Sequence, residues 1–134
     1  MGKKTSVKYV YDTNIFIYFL DRNLNVDKYF SNDFFTSHEI ITSRIVRIEL
    51  LSYPALTAKD RTVIEDLLGI VELIPLSESL EDLSIYFRRQ YKLKLPDAII
   101  ASTAFQHSAT LVTNNSKDFK KISEIKIETP TRKK

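Results

Sequence analysis

Four carboxylates in this chain sit where acids are rarely found, and their placement suggests metal chemistry. Asp12 follows the β-branched and aromatic run Val7–Tyr11 directly and precedes Thr13, Asn14 and an apolar stretch. Glu49 lies on a helical pattern; at about 100° per residue it falls between Ile45 and Val46, with Arg47 nearly opposite. Asp97 shares a helical face with Ile100, Ala101 and Ala104. Asp118 lies in the polar loop Thr113–Phe119, where Asn115 is the other candidate ligand. Each acid taken singly has an ordinary structural role: Asp12 and Asp118 as helix caps, Asp97 as a first-turn acid, Glu49 as a rim residue that reaches water. Taken together they say more. A carboxylate on an apolar face must be paired, protonated or metal-bound, because an isolated buried charge is costly. Two carboxylates about 4 Å apart repel by roughly 4 kcal/mol at an effective dielectric near 20. Four in one cleft without basic neighbours stay ionised only around a divalent cation. Oxygen ligands select hard ions, so Mg²⁺ or Mn²⁺ is expected over Zn²⁺. With no cysteine and only His38 and His107, a thiolate site is excluded and a histidine cage disfavoured.

The elements that must bring these acids together can be read from hydrophobic periodicity. Short β-rich runs occur at Val7–Tyr11, Glu39–Thr42, Val71–Leu76, Thr110–Thr113 and Ile125–Glu128. Helical patterns separate them. Asn14–Leu20 is apolar, and Arg44–Ser52 carries Ile45, Ile48, Leu50 and Leu51 and is closed by Pro54. A third helix is capped by Thr57, runs to Leu68 and stops at Gly69. A fourth runs from Ser77 through Arg89, with Leu80 where a complete capping box would place an acid. Pro96 and Asp97 open an Ala-rich helix that ends near His107. Strands alternating with helices predict right-handed crossovers and an α/β fold with a parallel sheet covered on both faces. In such sheets the working site lies beyond the carboxyl ends of the strands, which points to Asp12 and to the segment after Thr113.

Bulk properties narrow the function classes. A chain of 134 residues with 43% apolar and 28% charged residues suits one globular domain over 1–134, with a core at about 7–128 and basic tails at both ends. The formal charge of +3 permits a nucleic-acid partner without requiring one, and much of the excess lies in Lys3, Lys4, Arg132, Lys133 and Lys134. No apolar run approaches the roughly 18 residues of a membrane span, and no signal peptide is evident, so a soluble, cytoplasmic protein is expected. The short match of Gly2 and Ser6 to a myristoylation pattern is read as chance. The chain has only Gly2 and Gly69, and neither a P-loop nor GxGxxG, which argues against a nucleotide cofactor. No Ser-His-Asp or Cys-His arrangement is evident.

Four short motifs in order carry a resemblance: Val10-Tyr11-Asp12-Thr13-Asn14, Ser43 through Glu49-Leu50-Leu51, Leu95-Pro96-Asp97-Ala98-Ile99-Ile100-Ala101, and Leu111-Val112-Thr113-Asn114-Asn115 with Lys117-Asp118-Phe119. In these the chain resembles the PIN-domain nucleases, and among them the VapC-type toxins of toxin–antitoxin pairs. The resemblance implies a three-layer α/β/α sandwich and a metal-dependent endoribonuclease, the toxin of a type II system. It assigns Asp12, Glu49 and Asp97 to catalysis and metal binding, with Asp118 as a fourth acid or Asn115 in its place. Thr13, Asn14, Thr113 and Asn115 would line the site. It further implies an RNA substrate, a cognate antitoxin seated in an apolar groove, and a homodimer. Ile15, Phe16, Phe19, Tyr29, Phe30, Phe34 and Phe35 are the aromatic and aliphatic residues available for such a groove, although that spacing more often marks core. Arg44, Arg47, Lys117, Lys120 and Lys121 stand near the motifs as phosphate contacts. Arg88, Arg89, Lys92 and Lys94, with Tyr91 among them, form a second basic stretch. Two other readings remain open: a PIN-fold RNA-processing or DNA-acting nuclease without toxin duty, and a catalytically inactive interaction protein.

Overall fold

The computed structural model describes residues 7–22 and 25–130; the basic ends and the Gly2–Ser6 pattern lie outside them. Five parallel strands form the central sheet of the described residues: β1 (Lys8–Tyr11), β2 (Glu39–Ser43), β3 (Glu72–Ile74), β4 (Thr110–Val112) and β5 (Lys126–Glu128). Their order across the sheet is β3-β2-β1-β4-β5. The helices are α1 (Thr13–Asp21), α2 (Asn32–Ser37), α3 (Arg44–Leu51), α4 (Ala58–Leu68), α5 (Glu78–Tyr91), α6 (Leu95–Gln106) and α7 (Ser116–Phe119), with a 3-10 turn at Asp27–Phe30. They flank the sheet as an α/β/α sandwich, as the alternation of patterns predicted.

Strand β1 is central because its residues are apolar enough to be covered on both faces. Val10 and Tyr11 are fully buried, as are Leu111 and Val112 on the neighbouring β4. Pairing is in register at Val10↔Ile41 on one side and Val10↔Leu111 on the other. From β1 the chain crosses to β2 and β3 on one side, and later to β4 and β5 on the other. The direction of winding therefore reverses between β1 and β4, and a cleft opens beyond their carboxyl ends.

The expected caps are present. Ser43 Oγ accepts from Ile45 N at 3.1 Å, Thr57 Oγ1 from Asp60 N at 3.0 Å and Ser77 Oγ from Leu80 N at 3.2 Å. The incomplete capping box of α5 has a reason: Leu80 is 1% exposed and serves the core instead. Helix α6 is buried almost all round, from Ala98 to Ala104. Its hydroxyls are satisfied internally, Ser102 on Ala98 O at 2.7 Å and Thr103 on Ile99 O at 2.8 Å. Small residues here let α5 and the sheet approach closely.

Several expectations need correction. The apolar pattern of α3 includes Ile48, yet it is 59% exposed; Val46 and Leu50 make the buried stripe. The third strand is shorter than Val71–Leu76, and α5 continues past Arg89 to Tyr91. Gly69 does end α4 as expected, with an ordinary right-handed φ of −73°. The 3-10 turn and α2 had no periodic signal. The apolar side chains of α1, the turn and α2 pack as core more than as groove: Ile15, Phe16 and Tyr29 are buried, while Phe19, Phe30, Phe34 and Phe35 are half-buried. Phe19 stacks on Phe30 with ring centroids 4.3 Å apart.

Candidate active site

The backbone of Asp12 is fixed first. Its N–H donates to Val112 O at 3.0 Å, which extends the β1–β4 ladder one residue past the strand. On the other flank of β4, Thr113 N donates to Glu128 O at 3.1 Å. These bonds hold Asp12 and Thr113 side by side at the mouth of the reversal. Their side chains meet there: Thr113 Oγ1 donates to Asp12 Oδ2 at 2.7 Å, and Thr13 N donates to Asp12 Oδ1 at 2.8 Å. The N-cap reading of Asp12 is thus correct as structure, since Asp12 caps α1. Capping does not exhaust its role.

From Asp12 a polar network extends in both directions. Thr13 Oγ1 donates to Glu49 Oε1 at 2.6 Å and so ties α1 to α3. Asn115 N donates to Thr113 Oγ1 at 2.9 Å, and Asn115 Nδ2 donates to Asp118 Oδ2 at 3.0 Å. Asn115 therefore acts here as a donor that orients Asp118. Asp118 itself lies inside the short helix α7 and not in the loop ahead of it. Asn14 bridges the two strand ends, since its Oδ1 accepts from Asn114 N at 3.2 Å and its Nδ2 donates to Asp12 Oδ2 at 3.4 Å. Asn114 Nδ2 in turn donates to Tyr18 OH at 2.9 Å. Tyr18 and Asn114 were not singled out from the sequence. The available signal was that Asn14 and Tyr18 are four apart on α1 and share a face.

Asp97 joins through charge, at the first turn of α6. Burial raises its carboxyl above the usual range, and the negative charges of Asp118 and Glu49 add to this while Lys94 opposes it. Asp12 behaves similarly. Burial pushes it up to about 6; hydrogen bonds from Thr113 and Thr13 pull it back, and Asp97 and Glu49 raise it further. Asp12 therefore lies in the field of Asp97 and Glu49, and Asp97 in that of Asp118 and Glu49. Among the described residues no lysine or arginine forms an ion pair with them; the ion pair found there is Arg61–Glu65, at 3.4 Å. Arg44, Arg47, Lys94, Lys117, Lys120 and Lys121 are exposed.

The donors are all oxygen and carry more negative charge than the nearby Lys94 offsets, which suits a hard divalent ion. Their spacing is looser than a coordination shell, however: among the described residues no three His, Asp or Glu side chains stand within metal-holding reach of one another. Asp12, Glu49 and Asp118 are each tied to a hydroxyl or amide of the network. A cavity of about 680 Å³ lies elsewhere, lined by Phe19, Leu20, Arg22 and Lys59 among others. The acids do not line it.

Thr113 is the hinge of this network, since one hydroxyl serves both Asp12 and Asn115. Thr113→Val should cost about 1–3 kcal/mol in urea-induced unfolding, because two part-buried polar groups lose their partner. An unchanged unfolding midpoint would show that the network does not hold the site.

The PIN domain family matches the chain over residues 9–125. This chain belongs to the PIN domain family. Solved structures agree with that placement. The PIN domain is similar to a chain in the VapBC2 structure from Rickettsia felis bound to a promoter DNA fragment, at 26% identity, covering 92% of this chain and 98% of that one, with a TM-score of 0.78. It is similar to a chain of a toxin–antitoxin complex from Klebsiella pneumoniae at 29% identity, covering 93% and 99%, with a TM-score of 0.74. A chain of DNA-bound VapBC from Salmonella typhimurium has the same fold at 21% identity, covering 92% and 98%, with a TM-score of 0.76. No curated protein matches the chain in sequence. Among the described residues no helix is long and apolar enough to cross a membrane.

Proposed function

We propose that this PIN domain is a divalent-metal-dependent endoribonuclease and the toxin member of a toxin–antitoxin pair. What supports the nuclease reading is the repulsion that Asp12 feels from Asp97 and Glu49, and Asp97 from Asp118 and Glu49, with no salt-bridged cation among the described residues. The toxin reading is supported by the likeness to chains from VapBC and toxin–antitoxin complexes over nearly their whole length.

In this reading Asp12 and Asp97 hold Mg²⁺ or Mn²⁺, with Glu49 and Asp118 completing the negative field. Held by these carboxylates, a divalent ion would supply a water of lowered pKa and positive charge to offset that developing at the phosphate. Hydrolysis forms one bond from water oxygen to phosphorus and breaks one ester bond, leaving a phosphate monoester and a free hydroxyl. Thr13 and Thr113 keep Glu49 and Asp12 oriented, Asn115 does so for Asp118, and Asn14 locks the strand ends that carry them. Arg44, Arg47, Lys117, Lys120 and Lys121 meet the substrate backbone, which makes binding weaken as salt rises.

Purified protein should cleave labelled RNA in Mg²⁺ or Mn²⁺ and stop when EDTA is added, with Asp97→Asn lowering the rate by about 100-fold or more. A matched DNA strand should survive. Cleavage that persists in EDTA and in Asp97→Asn would overturn the mechanism. Cleavage of DNA alone would transfer it to another substrate.

A further inference from the structure

Carboxylates, a divalent ion and exposed lysines or arginines all act on phosphate, which RNA and DNA share. Chemistry of that kind is blind to the sugar. Discrimination between the two nucleic acids needs a group that meets the ribose 2′-hydroxyl, which both donates and accepts. Beside Asp12 an unused donor stands next to an unused acceptor, on Tyr18 and Asn114.

Asn14 and Tyr18 stand one turn apart on α1, and both reach the residue that follows Thr113. Asn14 is spent inside the site: Nδ2 donates to Asp12 Oδ2 at 3.4 Å and Oδ1 accepts from Asn114 N at 3.2 Å. Asn114 is thereby held by its backbone, and its Nδ2 donates to Tyr18 OH at 2.9 Å. That bond uses a lone pair of the phenol oxygen and leaves its proton to give; among the described residues no acceptor takes it. The same bond orients the Asn114 amide, whose Oδ1 receives no donor among the described residues. Nor is Oδ1 sealed in the core, because the buried side-chain polar atom without a partner among those residues is His107 Nε2. A structural tie between α1 and the end of β4 already exists in the Asn14–Asn114 bond, and it does not call for these two open groups. A phosphate or carbonyl oxygen can only accept, so it would satisfy Tyr18 and face Asn114 Oδ1 with a like partial charge. A base edge carries its donor and acceptor on separate atoms. A hydroxyl does both through one oxygen, which suits two side chains converging from different elements.

We propose that Tyr18 and Asn114 read the 2′-hydroxyl of a ribose beside the scissile phosphate. Tyr18 O–H donates to the 2′-oxygen, and the 2′-hydroxyl donates to Asn114 Oδ1. The inference rests on the nuclease reading and adds to it the residues that choose RNA over DNA.

The test pairs a change in the protein with a change in the sugar. A labelled oligoribonucleotide with a mapped cleavage site is compared with versions carrying a single 2′-deoxy nucleotide, walked through that site. For the intact chain, one position should lower kcat/KM by at least about 10-fold, since the deoxy sugar leaves both groups unpaired. For Tyr18→Phe the same deoxy nucleotide should cost less than about 3-fold, because the partner is already gone. Asn114→Ala, which removes the acceptor and the bond that orients Tyr18, should behave alike. Fluorescence anisotropy in EDTA repeats the comparison without metal or turnover: the intact chain should favour the all-ribose strand by about 3-fold or more, and Tyr18→Phe should not. Thermal melts of each variant confirm folding. Cleavage with no deoxy penalty at any position overturns the inference alone, as does an equal penalty in the intact chain and both variants. A penalty that follows the base and not the sugar overturns the 2′-hydroxyl assignment. A chain that neither cleaves nor binds RNA overturns the nuclease reading and this inference with it.

Discussion

Asp12→Asn should lower RNA cleavage by about a thousandfold or more while leaving the metal-free protein at least as stable as the parent above pH 6. The two effects have one cause. Asp12 is only 5% exposed, and burial together with the fields of Asp97 and Glu49 pushes its carboxyl up to about 6 from an ordinary 3.8. A carboxyl whose pKa is higher folded than unfolded costs stability once it ionises. The cost is absent below about pH 4, grows as pH rises through 6, and is constant above that. A shift of this size is on the order of 2–3 kcal/mol at neutral pH. Asparagine keeps the shape and removes the charge, but it gives up one of the two acceptors that Thr13 N and Thr113 Oγ1 use. A net gain of about 1–2 kcal/mol is therefore expected at pH 8, and none at pH 4. Thermal melts of both proteins in EDTA across this range check it. A variant that is equally destabilised at every pH would mean that Asp12 is structural and its charge unimportant.

The second large effect is the response of stability to metal. A divalent ion that binds the folded mouth and not the unfolded chain stabilises by about 2.7 kcal/mol at a hundred times its dissociation constant. For a chain of this size that amounts to a rise in melting temperature on the order of 10 °C. The rise should be large at pH 7.5, where Asp12 is ionised, and small at pH 5, where the ion must displace the proton on Asp12. Melting curves in Mn²⁺ and in EDTA at the two pH values measure this. An equal shift at both, or no shift at pH 7.5, contradicts the account of how the four acids are charged.

Much of this architecture was legible in the sequence because it depends on local signals. Val7–Tyr11 reads as a buried strand that ends on an acid, and β1 ends at Tyr11 with Asp12 next. Ser43, Thr57 and Ser77 are caps in sequence and in structure. The winding reversal between β1 and β4 follows from alternation alone once the strand order is known, and it puts Asp12 beside Thr113 across 101 residues of chain. Other features depend on tertiary partners and were hidden. Ile48 fits an apolar pattern but points away from the core, since the stripe of α3 needs only Val46 and Leu50. The 3-10 turn and α2 are too short to show a period, and their aromatics are placed by contacts to Tyr9, Tyr11 and Phe16. Asn115 stood as an alternative to Asp118, yet it donates to that carboxylate. The bond from Asn114 to Tyr18 spans 96 residues, and no sequence pattern predicts it.

Direct binding of Mn²⁺ to the metal-free protein, followed by electron paramagnetic resonance at pH 7.5, tests the central claim with neither RNA nor folding as intermediary. Wild-type protein should take up Mn²⁺ with a dissociation constant in about the micromolar to millimolar range, and Asp12→Asn with Asp97→Asn should weaken uptake by about 100-fold or more. Wild-type protein that leaves Mn²⁺ free at millimolar concentration, or a double variant that binds it as well as wild type, would contradict the claim.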